Sequence, residues 1–256
     1  MSHDLSDLTT TEAAARLAEA TVALVPVGAN EQHGPNLGMG VDWRIAQALA
    51  RRIADRVAPL AVVTPPLPFG LSAHHLSFPG TLSVSPQAWS AVLLDVARSL
   101  AHHGLTKLVF VNAHRGNENI LGVLTTQLSY EHGIEAASTF WMTQAADVIA
   151  RHRRTDRWGH ACGIETSVAM ALTPDLVRTD ALEPGDLVDD YGPYEDNYER
   201  FAVAVPRSFA SRTRNGVFGD ARQASRAAGE EIVEAAVDRA AAFVRGFATR
   251  PSRLGS

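Results

Sequence analysis

The sequence predicts an α/β fold: a single domain built on a mostly parallel central sheet with helices on both faces. Three observations lead there. Short apolar runs of strand length alternate with amphipathic stretches through the first half of the chain. With 256 residues, 46% of them apolar and 20% charged, the chain is long enough to bury one large core. No internal repeat, low-complexity tract or Pro/Gly/Ser linker divides it, so 1–256 reads as one domain with 1–8 and 250–256 as flexible ends.

The elements follow in order. Thr9 and Glu12 form a capping box before an Ala-rich helix that runs to Ala20. Thr21–Val27 is a compact apolar strand ended by Gly28. In Trp43–Val57, Ile45, Leu49, Ile53 and Val57 lie four apart and make one helical stripe. Leu60–Thr64 is a second strand closed by Pro65 and Pro66. Ser85 and Pro86 open a helix that Gly104 ends. Lys107–Val111 is a third strand, Asn119–His132 a helix stopped by Gly133, and Ile134–Phe140 a fourth strand. Ile164–Leu172 is helical up to Pro174, and Ala221–Phe247 is a long closing helix.

Composition removes several functions. Lys+Arg number 23 against 28 Asp+Glu, a formal charge of −5, so no basic excess exists to track nucleic acid. No run of eighteen apolar residues offers a membrane span. Met1–Thr10 lacks the layout of a signal peptide, and the lone Cys162 cannot form an internal disulfide, which together suggest a cytoplasmic location.

In open α/β sheets chemistry gathers beyond the carboxyl ends of the strands. The loop after the first strand carries Glu31 and His33, two apart, and leads through Gly38 and Gly40 to Asp42. Alternation lets Glu31 and His33 lean to one side, and the glycines let the loop fold back so that Asp42 approaches them. Carboxylate, imidazole and carboxylate form a set that suits zinc, manganese or iron(II). The plain alternative has Asp42 capping the next helix and Glu31 and His33 solvated. The loop after the third strand holds His114 between Asn112 and Asn117, beyond a strand expected to be central; in the plain alternative both asparagines merely bond local backbone.

A third cluster, His160 to Ser167, offers His160 as a proton shuttle and Glu165 as a metal ligand or an orienter of His160. Glu165 could equally be a first-turn acid favoured by the helix dipole. Cys162 reads as a small buried residue, with a nucleophilic thiol beside His160 as the other option. In the fourth cluster, adjacent His74 and His75 should point apart, so that at most one faces a site, and Phe78–Thr81 reads as a turn into a strand. Phosphate-loop, dinucleotide, serine-elbow and H-E-x-x-H templates are all absent.

The segments VPVGANEQHGPNLGMGVD, HHLSFPGT, VFVNAHRGN, HACGIETS and GVFGD occur in that order. With them the sequence resembles the creatininase (creatinine amidohydrolase-like) family over nearly its whole length. The resemblance implies a three-layer α/β/α sandwich, two divalent metal ions per subunit (Zn, Mn or Fe), and a homo-oligomer, often a hexamer. It implies that Asp42 bridges the ions, with Glu31 and His114 on one and His33 on the other. Creatinine-hydrolysing members carry a glutamate two residues after the histidine of this loop, where Gly116 stands here. Glu165 is therefore expected to complete the second site, as in members whose loop reads N-G-H-G-G-N, since Glu118 is out of register. His160 matches the histidine expected to pass a proton to the leaving nitrogen.

The activity so implied is hydrolysis of a small cyclic or linear amide C–N bond by a metal-activated bridging water. Candidates are creatinine ring opening, formamide removal from a pyrimidine intermediate, and trimming of a peptide precursor in mycofactocin-type cofactor biosynthesis. Trp141 and Trp158 lie in the stretch where creatinine-hydrolysing members place pocket tryptophans. Arg115, beside His114, suggests an anionic group on the substrate or else a solvated surface arginine. Two other readings compete: a cysteine amidase using Cys162 with His160 and Glu165, and a non-catalytic metal-binding assembly module. The aromatic-rich stretch Asp186–Ser211 suits a subunit interface, with a pocket wall or a surface excursion as alternatives.

Overall fold

A computed structural model describes residues 2–188 and 206–252. Strands β1 (Val22–Val27), β2 (Ala61–Val63), β3 (Lys107–Asn112) and β4 (Glu135–Phe140) pair in parallel in the order β2-β1-β3-β4. The register sets Val27 opposite Asn112 and Asn112 opposite Phe140. The carboxyl ends of β1, β3 and β4 are therefore level, and the loops leaving β1 and β3 emerge side by side.

Side chains alternate across this sheet into two cores. Val22, Leu24, Val109 and Val111 point to one face, covered by α2 (Val41–Val57), α7 (Gly163–Leu172) and α8 (Arg226–Thr249). Ala23, Val25, Val27, Leu108 and Phe110 point to the other, covered by α3 (Pro86–His102) and α4 (Glu118–His132). Because both faces are packed, all six residues of β1 are buried, which is why the strand reads as an unbroken apolar run. The result is the expected three-layer α/β/α sandwich.

Local chemistry sets most boundaries. Helix α1 (Thr10–Glu19) starts at the Thr9–Glu12 capping box. Helix α3 starts with Pro86 after the Ser85 cap, and α4 ends at Gly133, whose φ of 65° is left-handed. The segment before α1 has an anchor: Asp4 is buried, bridges to Val63 and accepts from Arg51 at 2.6 Å.

Two expectations need correction, and one feature is new. The closing helix begins at Arg226 rather than Ala221, because the Asp220 carboxylate accepts from the Arg222 N–H and closes a separate turn, after which Ser225 caps the helix. The Phe78–Thr81 turn leads into no strand; Leu82 and Ser83 make single bridges to Asn30 and Gly70. Two short helices, α5 (Trp141–Gln144) and α6 (Ala146–His152), were not foreseen, being too short to display a helical period. No helix among the described residues is long and apolar enough to cross a membrane.

Candidate metal centre

Gly28 ends β1 against the first turn of α2, where a Cβ would collide with the Trp43 backbone. The intervening loop folds back on itself, with Glu31 N–H donating to the Met39 carbonyl and Leu37 N–H to that of His33. Glu31, His33 and Asp42 thereby meet. Asp42 does not cap its helix: Gly40 is the N-cap residue, and the buried Asp42 carboxylate turns inward.

The loop after β3 is clasped by its asparagines, as the plain alternative held. Asn112 accepts from the His114 N–H at 3.1 Å and donates to the His114 carbonyl at 2.7 Å. Asn117 donates to the Gly28 carbonyl at 3.1 Å and so ties the β3 loop to the β1 loop. This clasp aims the His114 ring at Glu31 and Asp42, so the structural role of the asparagines and the inward His114 coexist. A Cβ at Gly116 would collide with the His114 ring and the Leu71 carbonyl, which leaves no room for a glutamate there.

The third contribution comes from the start of α7. Ala161 adopts φ 50°, turning its N–H onto Glu165 Oε2 at 2.6 Å. Glu165 Oε2 then lies 3.8 Å from His33 Nε2, and His160 Nδ1 lies 3.8 Å from Glu31 Oε1. Glu31, His33, Asp42, His114, His160 and Glu165 are all buried and lie in one cluster.

Hydrogen bonds fix which ring nitrogens face inward. His33 Nδ1 donates to the Glu31 carbonyl at 3.1 Å, His114 Nε2 to Leu71 at 3.2 Å, and His160 Nε2 to the Gln32 carbonyl at 2.7 Å. In each neutral ring the other nitrogen then presents a lone pair to the cluster. His33 Nε2 stands 3.1 Å from Asp42 Oδ1, and His114 Nδ1 stands 3.2 Å from Asp42 Oδ2 and 3.3 Å from Glu31 Oε1. Glu31 Oε2, His33 Nε2 and Asp42 Oδ2 are buried and make no hydrogen bond. Lone pairs facing carboxylate oxygens repel unless positive charge sits between them.

The pKa directions express the same demand. Burial opposes a charge on His114, but Glu31 and Asp42 together outweigh it and push its pKa up to about 10. Burial likewise opposes a charge on His33, and Asp42 and Glu165 outweigh it, holding the pKa well above the usual value. Glu31 and Asp42 are held below the ordinary carboxylate range: burial is overcome by His114 and His75 for the former and chiefly by His33 for the latter. His160 is lowered, by burial first and then by His33, so its ring is neutral near pH 7. Two imidazole nitrogens and three carboxylates, with orphaned atoms on Glu31, His33 and Asp42, form a mixed nitrogen/oxygen set that fits divalent cations.

A cavity of about 290 Å³ opens above this cluster. Both His74 and His75 line it, correcting the expectation that only one could. A tight 3-10 turn over Ala73–His75 sets their ring centroids only 4.3 Å apart. His75 accepts from Gln32 at Nδ1 (2.9 Å), so Nε2 carries the proton that faces Glu31 at 3.5 Å. Burial keeps His75 neutral and lowers His74 to about 4.

Other candidates fall outside. Glu118 pairs with Arg115 at 3.4 Å and is not among the described residues of the cavity wall. Cys162 is buried off the cavity wall and burial pushes its thiol up to about 11, which removes the cysteine-nucleophile reading. Trp141 packs in the core and Trp158 packs against it; neither is among the described residues of the wall, whose apolar members are Ala113, Phe140, Met142, Pro206 and Phe209. Of the aromatic stretch, Phe209 forms pocket wall, with its ring 4.3 Å from that of His75 and 4.7 Å from that of His160. Tyr191, Tyr194, Tyr198 and Phe201 lie outside the described residues.

Sequence reasoning missed Gln32, Arg207 and Arg212. Gln32 sits between Glu31 and His33, where alternation turns it the other way; its buried amide bonds His75, Gly216 and Gly34. The two arginines belong to a stretch without periodicity, and no local signal marks them.

Residues 6–244 match the family model described as creatinine amidohydrolase. The chain is 34% identical over 242 residues to the mycofactocin precursor peptide peptidase of Mycolicibacterium smegmatis, covering 91% of this chain and 87% of that one. It is 31% identical over 260 residues to the creatinine amidohydrolase of Pseudomonas putida, covering 94% and 95%. A solved manganese creatininase superposes with a TM-score of 0.79 at 29% identity, covering 98% of this chain and all of that one. Family match, sandwich and inward-facing cluster agree, and the chain belongs to the creatininase family of amidohydrolases.

Proposed function

We propose that this protein hydrolyses the C–N bond of a small amide or the end of a short peptide, using two divalent cations. One would be held by Glu31, His114 and Asp42, the other by His33, Asp42 and Glu165. The observation that carries this reading is the placement of Asp42, whose two carboxylate oxygens lie near two different imidazole lone pairs, 3.1 and 3.2 Å away. When bound, such cations polarise a carbonyl and bring the pKa of water close to neutrality.

The chain's own residues do the rest. Backbone carbonyls hold the His33, His114 and His160 rings in one tautomer, so no reorganisation precedes reaction. Neutral His160 takes a proton at Nδ1 as water adds to the carbonyl carbon and returns it to the nitrogen as the C–N bond breaks. Phe209 covers His160 and His75 and limits their access to bulk water. The non-catalytic alternative loses ground, because a decayed centre would not retain a full ligand set around a cavity.

Among substrates, trimming of a peptide precursor fits better than creatinine ring opening. Identity is 34% to the peptidase against 31% to the creatinine amidohydrolase, and the described wall lacks the tryptophans expected of creatinine-hydrolysing members. A homo-oligomer in the cytoplasm remains the assembly and location this reading carries.

Elemental analysis combined with a substrate panel tests the proposal. Protein loaded with Zn or Mn should bind two ions per chain and cleave members of a set of short peptides, formamides and creatinine. EDTA should abolish turnover, and a thiol alkylator should leave it intact, since Cys162 is buried. Turnover that survives complete metal removal would end this reading.

A further inference from the structure

His75 is buried, lines the cavity and takes no part in the mechanism above. With Glu31 and His160 it forms a group at metal-ligand spacing, so its ring could offer either a lone pair or a proton. Gln32 decides between them. Its Oε1 accepts from the Gly34 N–H at 2.9 Å and its Nε2 donates to the Gly216 carbonyl at 3.3 Å, which sets the amide one way round. The end that reaches His75 Nδ1 at 2.9 Å is therefore the N–H end. Nδ1 accepts, the ring proton sits on Nε2, and Nε2 stands 3.5 Å from Glu31 Oε1. Gly216 makes room for this: its φ is 82°, and a Cβ there would land on the Gln32 amide. The ring itself is held between Phe209 and His160, with centroids 4.3 and 4.4 Å away.

We propose that Gln32 and His75 are positioning residues for the cation site of Glu31: Gln32 keeps His75 in the Nε2–H tautomer, and that N–H orients the Glu31 carboxylate toward the ion it shares with His114 and Asp42. The inference rests on the two-cation reading above and adds two residues to it. Glu31 needs an orienting donor, because its buried Oε2 makes no hydrogen bond and its Oε1 lies 3.3 Å from the lone pair of His114 Nδ1. A neutral N–H supplies one without cancelling charge. A lysine or arginine in its place would neutralise the carboxylate and compete with the cation. A bare imidazole nitrogen would draw the ion away from His114. Metal-bound carboxylates are commonly oriented by such outer partners, whose loss weakens the metal about 10- to 100-fold.

Zn titration of metal-stripped protein against a competing chelator tests this. His75→Phe keeps a ring between Phe209 and His160 but has no N–H, whereas His75→Gln keeps an N–H within reach of Glu31. The first should weaken one of the two ions about 10- to 100-fold and leave the other within about two-fold, and the second should restore most of the loss. Two backgrounds identify the ion: His75→Phe should weaken the one left by His33→Ala and spare the one left by His114→Ala. Gln32→Leu should act in the same direction, but His75 is the sharper probe because Gln32 Nε2 also lies 3.0 Å from His160 Nε2. Equal weakening of both ions, no weakening, or a loss that glutamine does not restore overturns the positioning role. Should His75→Phe fail to fold, the unaltered protein decides: two-bond proton–nitrogen correlation of its histidines in the Zn-loaded state should show the His75 proton on Nε2, and a proton on Nδ1 overturns the proposal. A parent that binds no divalent ion sinks the two-cation reading and this inference with it, whereas two bound ions without a selective effect of His75 sink only the inference.

Discussion

The floor and the rim of the cavity are built by opposite strategies. The floor hangs from four rigid supports, the ends of β1 and β3 and the first turns of α2 and α7; its side chains are buried, and its imidazoles donate to backbone carbonyls. The rim over residues 206–213 has a single short 3-10 turn, and its arginines are only partly covered. The floor resembles a preorganised reaction centre, in which position matters to fractions of an ångström; the rim resembles a recognition surface, in which charge and shape matter more. Substitutions at the floor should therefore strike turnover and metal content, and those at the rim should strike the choice of substrate.

The largest effect is expected at Asp42, which faces both imidazoles. Asp42→Ala should empty both cation sites and lower kcat/KM by about 10³-fold or more, a loss of several kcal/mol of transition-state stabilisation. Mass spectrometric metal counting checks it, and two ions per chain in the variant would remove the bridge. Next comes His160→Ala, which should lower kcat by about 10²- to 10⁴-fold while both ions stay bound. Loss of metal in that variant would make His160 a ligand instead of a proton carrier, and intact turnover would move proton transfer to another group.

How much of this was legible follows the same division. Glu31, His33, Asp42 and His114 could be found because they sit at fixed short distances after apolar runs, and a parallel sheet sends such loops to one edge. Gly116 was legible as a missing glutamate, but not the reason for it, since the crowding by the His114 ring and the Leu71 carbonyl is tertiary. His74 and His75 were misjudged because a 3-10 turn keeps neighbouring rings closer than extended chain would. Arg207, Phe209 and Arg212 have no period, cap or motif to announce them; what places them at the cavity is the turn over Phe209–Ser211 packing against the His75 turn, with Ser208 bonding Ser77 at 2.8 Å.

A smaller effect sharpens the electrostatic side of the floor. In protein stripped of cations, His114 has a folded pKa raised to about 10. A raised pKa contributes stability that is complete below the unfolded value near 6.5 and is lost as pH rises through the folded one. The depressed carboxylates Glu31 and Asp42 work the other way: their contribution is present above about pH 4 and is lost as pH falls through their folded values. His74, His75 and His160, whose pKa values burial lowers, cost stability as pH falls below the unfolded value near 6.5. The stripped protein should therefore be most stable at about pH 6.5 and melt earlier on either side, progressively so from pH 7 to 10. Added Zn should raise Tm more at pH 9 than at pH 6, because cations compete with fewer protons there. A Tm gain independent of pH would mean that these rings do not meet the metal.

The smallest effect concerns the backbone that presents Glu165. Ala161 is buried in a left-handed conformation, which costs a residue with a Cβ about 1–2 kcal/mol. Ala161→Gly would relieve that cost, but glycine gives back about 0.5–1 kcal/mol in chain entropy and loses a buried methyl worth about 0.8 kcal/mol. The change should leave stability within about 1 kcal/mol of the parent and metal content intact. Ala161→Val, with a branched side chain that tolerates positive φ poorly, should instead destabilise by about 1–3 kcal/mol. It should also withdraw the N–H from Glu165, so that one ion is held more weakly than the other. Denaturant unfolding and stepwise metal titration of the two variants separate these outcomes: if valine were tolerated with both ions equally bound, the turn at Ala161 would not be what holds Glu165 in place.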